Sequence, residues 1–241
     1  MDRLGYTAMT AASRSMQSLQ VRANNLANVN TPGFRADLER ANATQVEGYG
    51  YDSRYLAVVE GNGVNMAPGV MMATGRDLDV AIRGNGMLVV QDGNGEAYTR
   101  QGSLQLDAEG RLTLGGRAVL GEGGPVVLPE FDSLTIGNDG TISVIPRGDF
   151  LTAEVDRLRM VDAPAAELMK KPNGLLVRQD GQAAEPVLNP SLVSGYLEGS
   201  NVSSIEQLTA TMSLNRLFET QVKMMKAADD LSANGNRMIR D

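Results

Sequence analysis

Met9, Ala12, Met16, Leu19, Ala23 and Leu26 recur at intervals of 3, 4, 3, 4 and 3, which lines their side chains along one face of a helix as a heptad seam. The positions between them are mostly polar or small. Thr31-Pro32-Gly33-Phe34 ends the pattern, because Pro at the second turn position pre-sets φ and Gly at the third accepts the positive φ of a type II turn. The spacing predicts a helix that stops between Asn28 and Asn30.

At the other end of the chain, Ile205, Leu208 and Met212 form one seam, and Leu214, Leu217, Gln221, Met224, Ala228 and Leu231 form a second. The step from Met212 to Leu214 turns about 200° around a helix, so the two seams lie on different sides. Phe218, Val222 and Met225 widen the apolar surface further. A helix that is apolar on more than one side needs more than one packing partner. Burying the large side chains of one seam offsets only part of the entropy lost on ordering a helix, and isolated helices are marginal in water. The expectation is therefore that both termini are poorly ordered in the free monomer and become helical on assembly.

Between the termini the pattern changes to short alternating runs separated by Asn, Asp and Gly, the signature of hairpins. Met87–Gln91 and the run around Tyr98–Arg100 flank Asp92-Gly93-Asn94-Gly95; Leu104–Leu106 and Leu112–Leu114 flank Asp107-Ala108-Glu109-Gly110. Leu134–Ile136 and Thr141–Val144 flank Gly137-Asn138-Asp139-Gly140, and a further strand pair is expected around Arg157–Val161 and Leu175–Arg178. Residues 35–74 show no sustained period and carry Tyr49, Tyr51 and Tyr55, which reads as an extended connector lying against another surface.

Glycine and proline sharpen these boundaries. Of 27 Gly and 9 Pro, only Gly5, Gly33, Pro32 and Gly235 fall in the first 40 and last 41 residues, so helix, turn-rich β structure and helix follow one another. The formal charge of −7 belongs to the middle, since residues 1–40 carry +2 and residues 201–241 carry 0. The organisation is an α+β chain of 241 residues, long enough to bury a core without cross-links.

Absent residue types remove whole classes of chemistry. With no Cys and no His there is no Ser-His-Asp triad, thiol nucleophile, imidazole base, Cys/His zinc site or disulfide. The four lysines, Lys170, Lys171, Lys223 and Lys226, complete no Ser-x-x-Lys. An acidic chain without a basic stripe does not suit nucleic acid or an anionic membrane. The opening residues lack the charged and apolar regions of a cleavable secretory signal, and no 18-residue apolar span follows.

The remaining motifs read first as ordinary structure. Gly84-Asn85-Gly86 lacks the third Gly of a dinucleotide loop, with Val89 in its place, and precedes a strand. Asp92-Gly93-Asn94-Gly95-Glu96 imitates the start of a calcium loop, yet Ala97 stands where its sharp-turn Gly belongs. Asp77 and Asp79 could be paired carboxylates for glycoside hydrolysis but suit a solvated surface better. Asn24, Asn25, Asn28 and Asn30 crowd the end of the first helix, where Asn caps well; Asn24 and Asn28, one turn apart, could instead fix the register of a helix interface, as could Gln221.

Four blocks in order carry a family resemblance. Asn25-Leu26-Ala27-Asn28-Val29-Asn30-Thr31-Pro32-Gly33-Phe34 resembles the N-terminal signature of the bacterial flagellar axial proteins, the rod and hook family. The stretch from Thr74 to Gly86 and Tyr98-Thr99-Arg100-Gln101-Gly102 resemble the next two blocks. Leu197-Glu198-Gly199-Ser200-Asn201-Val202, with Arg216-Leu217-Phe218-Glu219-Thr220-Gln221, resembles the C-terminal one. Tyr6-Thr7-Ala8-Met9, Thr31–Arg35 and the short connector look most like proximal rod subunits. One departure is Met87-Leu88, where much of the family has aromatics after the Gly-x-Gly.

The resemblance implies a structural subunit, without catalytic activity or cofactor, of the basal-body rod that spans the periplasm. Its N- and C-terminal helices would pair as a coiled-coil-like inner domain, with a β-rich hairpin domain between them facing outward. The expected parts are residues 1–34 and 195–241 for the inner helices, 35–74 for the connector and 75–194 for the outer domain. Partners would be proximal and distal rod subunits, copies of itself, the rings around the rod and the flagellar type III export apparatus, with no nucleic acid or small-molecule substrate. Such a stack assembles as a helical tube that transmits motor torque to the hook. The implied assembly contacts are Met9, Met16, Leu19, Leu26, Asn28, Phe34, Leu208, Met212, Leu214, Leu217, Phe218, Gln221, Met224 and Leu231. A distal rod or hook-like subunit is the alternative, and a carboxylate-based peptidoglycan hydrolase the alternative from another class.

Overall fold

The computed structural model describes residues 2–45, 55–93 and 95–240. The chain divides into two compact units: Met1–Ala27, Asp37–Gly61 and Ser203–Asp241 form the first, and Asn28–Ala36 with Asn62–Val202 form the second.

The first unit is built on two long helices, α1 (Asp2–Ala27) and α2 (Ser204–Arg240). α1 stops one residue before the asparagine-rich stretch predicted to end it. Ser203 caps α2: its Oγ accepts the Glu206 N–H at 3.4 Å and its carbonyl accepts the Gln207 N–H at 3.0 Å. The Ser15 hydroxyl donates to Gln221 Oε1 at 3.0 Å and Arg22 Nη1 donates to Gln207 Oε1 at 3.3 Å, so α1 and α2 run antiparallel. Both terminal segments are thus helical and paired within one chain, where the expectation was that they become helical on assembly. Each helix supplies the packing partner that a single seam lacks. Among the described residues no helix is long and apolar enough to cross a membrane.

Strands Asp37–Gln45 and Tyr55–Val64 pair in a two-stranded sheet, so residues 35–74 contain paired strands where an extended connector was expected. Asp37–Gln45 has no apolar alternation to announce it. Tyr49 and Tyr51 lie outside the described residues.

The second unit is β-rich. Its largest sheet has six strands in the order Leu168–Lys170, Leu176–Arg178, Gly95–Thr99, Met87–Asp92, Met160–Asp162, Glu185–Pro186. The predicted hairpins form: Met87–Asp92 pairs antiparallel with Gly95–Thr99, Gln105–Leu106 with Leu112–Leu114, and Phe131–Ile136 with Thr141–Pro146. The pair expected between Arg157–Val161 and Leu175–Arg178 does not: Met160–Asp162 pairs with Met87–Asp92, while Leu176–Arg178 pairs with the Gly95–Thr99 strand. The central hairpin has entered between them. Met87-Leu88-Val89-Val90 is buried on both faces, Leu88 and Val90 joining one core with Leu104, Leu112, Ile142 and Leu192, and Met87 and Val89 a second core with Tyr98, Val161 and Leu168. A continuous apolar run instead of an alternating one is what such a two-faced strand requires.

Candidate functional site

Parts of all four sequence blocks meet in the second unit around Glu198. The first arrives through the Thr31–Phe34 turn, closed by the Phe34 N–H donating to the Thr31 carbonyl at 3.2 Å, with Gly33 at φ 69°. The Gly33 N–H donates to the Glu198 carbonyl at 2.7 Å, and a Cβ on Gly33 would lie 2.2 Å from the Gln101 nitrogen. Only glycine admits both this φ and this approach. Two residues on, Arg35 Nη2 donates to Glu198 Oε1 at 2.7 Å.

The third block supplies Arg100, whose Nε and Nη2 hold Glu198 Oε2 at 2.9 and 2.8 Å. Its Nη1 donates to the carbonyls of Gly84, at 2.8 Å, and Gly86, while Nη2 also reaches the Ile82 carbonyl at 3.0 Å; these three residues belong to the second block. Glu198 accepts the Gly69 N–H as well, at 2.8 Å. Three residues further, Asn201 Oδ1 accepts the Ala36 N–H at 2.7 Å and Nδ2 donates to the Asn65 and Ala67 carbonyls. Phe34, Ala36 and Val202 form a small core beside this cluster, and Lys170 Nζ lies 3.6 Å from the Phe34 ring centroid.

The chemistry of this junction is adhesive. Glu198 is buried and bound on both oxygens by cations, which leaves it no role as a base or nucleophile. Burial pulls the Arg100 guanidinium below its ordinary range, and Glu198 opposes that pull. The arrangement holds residues 28–36, where the chain has just left α1, against residues 197–202, where it is about to enter α2.

The fourteen contact residues implied by the family fall into three groups. Met9, Met16, Leu208, Met212, Leu217, Met224 and Leu231 are exposed on the helices, Met9 at 54% and Leu217 at 49%. Leu19, Leu26, Asn28, Leu214 and Phe218 are half-buried. Gln221 and Phe34 are buried within the chain, the first against Ser15 and the second in the small core of the junction. The inward seam of α1 is Ala8, Ala12, Ser15, Leu19 and Arg22, which shares only Ala12 and Leu19 with the predicted seam. On α2 the inward track is Gln207, Leu214, Gln221 and Ala228, one residue per heptad. Apart from Leu19 and Leu214 the inner seam is small or polar, while Met9, Met16, Leu217 and Met224 face out.

Periodicity could not find Arg35, Arg100, Glu198, Asn201 or Asn25, because each acts through one polar contact to a distant segment. The available signal was their place inside the four blocks.

The features with other chemical readings are occupied. Asp92, first residue of the calcium-like stretch, accepts from Lys171 Nζ at 2.7 Å and Arg117 Nε at 3.3 Å. Among the described residues no group of three or more Asp or Glu could hold a metal ion. Asp79 is buried beside Arg76 at 3.6 Å, whereas Asp77 is exposed. A cavity of about 590 Å³ is lined by Leu106, Asp107, Glu109, Leu128, Phe131 and Arg147 among others. Burial acts to raise the Asp107 carboxyl there, but hydrogen bonds from the Arg111 side chain and backbone outweigh it and hold the group below the usual range. A glycosidase acid needs the opposite shift.

Three family profiles match the chain: "Flagella basal body rod protein" over residues 6–35, "Flagellar hook protein FlgE/F/G D1 domain" over 81–144, and "Flagellar basal body rod FlgEFG protein C-terminal" over 193–238. The chain is 42% identical to the flagellar basal-body rod protein FlgF of Escherichia coli K12, and 40% identical to FlgF of Salmonella typhimurium, each match covering 99% of both chains. It is 28% identical to the flagellar basal-body rod protein FlgG of Bacillus subtilis over 94% of this chain and 95% of that one.

Proposed function

We propose a mechanism of assembly from the premise that this chain belongs to the FlgF family of flagellar basal-body rod proteins. It is a structural subunit of the rod, located in the basal body and assembling with other rod subunits, and not an enzyme.

The chain takes a proximal position in the rod. Its paired helices act as a coiled-coil-like inner domain, stacking with those of neighbours into a helical tube, and residues 75–194 form the outer domain. A heterologous contact that repeats without closing on itself builds such a tube. Many parallel helix contacts per subunit make it stiff in torsion, as transmission of motor torque to the hook requires. The surrounding rings and the type III export apparatus are the remaining partners.

One observation carries this reading. Met9, Met16, Leu208, Met212, Leu217, Met224 and Leu231 are large apolar side chains left on the outside of a helix pair whose inside, apart from Leu19 and Leu214, is small or polar. Exposed apolar surface on this scale marks an interaction site. Deletion of the gene, with electron microscopy of purified basal bodies, tests it. Non-motile cells with short rods, restored by the full chain but not by one lacking residues 201–241, are the expected result. Intact rods and hooks overturn it, and release of fragments from cell-wall sacculi by the purified protein would favour the hydrolase.

A further inference from the structure

The helix pair contains an apparent contradiction: Met9, Met16, Leu217 and Met224 are outside, while Ser15, Arg22, Gln207 and Gln221 lie inside beside Leu19 and Leu214. On α1, each of Met9 and Met16 directly follows an inward residue, Ala8 and Ser15. A turn of about 100° would exchange them. On α2, Leu217 and Met224 each lie three residues beyond an inward residue, Leu214 and Gln221. Hydrophobic burial alone favours the exchange.

Among the described residues, Ser15 to Gln221 and Arg22 to Gln207 are polar contacts that cross the seam. Turning or sliding one helix alone would strand the buried groups of the other, and an unmade buried hydrogen bond costs more than a made one contributes. Small residues at Ala8, Ala12, Ser15 and Ala228 keep the seam narrow, so a methionine could enter only by forcing the helices apart and breaking these bonds.

We propose that Ser15, Arg22, Gln207 and Gln221 are positioning residues that set the rotation and register of the helix pair, so that Met9, Met16, Leu217 and Met224 are held outward. That these outward faces serve subunit contacts rests on the reading above; that the polar seam aims them does not.

The experiment separates the two. The chain has no cysteine, so Ala8→Cys with Ala228→Cys gives a clean cross-linking pair. Ser15 and Gln221 set the register, and residues 8 and 228 stand seven positions from them in the matching directions, which brings the two level. The pair is placed in the otherwise unchanged full-length chain and in one whose seam is apolar: Ser15→Ala, Arg22→Leu, Gln207→Leu and Gln221→Leu. A parallel set without the cysteines is exposed to hydrogen peroxide, and oxidation of each methionine is followed by peptide mass spectrometry. Met169, exposed in the second unit, serves as reference.

In the apolar-seam variant, cross-linking and oxidation of Met9, Met16 and Met224 are expected to slow severalfold while circular dichroism still reports the helices. Ser15→Thr in the otherwise unchanged chain, which keeps a hydroxyl facing the Gln221 amide, is expected to retain both rates. Unchanged rates in the apolar-seam variant overturn the proposal. So does loss of the helices, since an apolar seam would then have weakened a pair it is expected only to misaim. Motility is scored separately: a wild-type rate pattern in a chain that fails to restore swimming counts against the rod reading and leaves the seam standing.

Discussion

The side-chain amide of Asn25 forms a two-bond ring with the backbone of Asp37: Oδ1 accepts the Asp37 N–H at 2.8 Å and Nδ2 donates to the Asp37 carbonyl at 3.0 Å. Asn25 is fully buried, in the last turn of α1 and two residues before the helix ends. It gives Asp37 the pairing that a neighbouring strand would otherwise supply. Asn25→Ala leaves a buried donor and acceptor unmet and should cost about 1–3 kcal/mol. Asn25→Asp keeps the acceptor, loses the donor and should be nearly as damaging. The midpoint of urea unfolding measures both.

Glu198 should be the most sensitive acidic position. Glu198→Ala strands the Arg35 and Arg100 guanidinium groups together in the interior, a loss of about 3–5 kcal/mol for a buried pair broken from one side. An exposed pair such as Arg147 with Glu130 should contribute almost nothing. Comparable unfolding midpoints for Glu198→Ala and Glu130→Ala would show that the junction does not bind the segments together.

Gly33→Ala meets two obstacles. The positive φ costs a non-glycine residue about 1–2 kcal/mol, and the new methyl would lie 2.2 Å from the Gln101 backbone. The turn must move away from the 99–102 segment, so the variant should lose stability well beyond the φ cost alone. Proteolysis between residues 28 and 36 reports that opening.

Leu217→Asp places a charge on an outward face of α2. The purified chain should keep its melting temperature and circular dichroism, yet fail to enter rods and fail to restore swimming. Swimming cells whose basal bodies contain the variant would remove this face from the assembly contacts.

Acid should loosen the surface of the second unit first. The Asp92 carboxyl is held below its ordinary 3.8 by a hydrogen bond from Lys171, against a smaller upward pull from burial and with help from Arg117. A hydrogen bond from the Thr141 hydroxyl does the same for Asp139. A carboxyl lowered on folding stabilises fully above its unfolded pKa, and that contribution disappears as pH falls through the folded value. Stability should therefore decline as pH drops below about 4, where unfolded carboxylates begin to take up protons. Lys171→Ala should move the Asp92 titration, followed by carboxyl NMR, back up.

Hydrophobic spacing, with the places of Pro, Gly, Asn and Asp, determined that two terminal helices flank a β-rich middle along the chain, that Thr31–Phe34 turns, and where three hairpins fold. These are local properties, set by side-chain period and by the φ preferences of Pro and Gly, so each was legible within a dozen residues. The four blocks disclosed the family for the same reason: their residues stand in fixed order along the chain. Spacing could not choose between adjacent seams of α1, because Met9 and Ala8 are both apolar and both fit a heptad. It could not order the six-stranded sheet, where strands that look like partners are separated by an inserted hairpin. Least of all could it join Arg35 to Glu198, which lie 163 positions apart. Such contacts exist only once the backbone has brought distant segments together and excluded water, which is when a charge must find its partner and a helix must commit to one face.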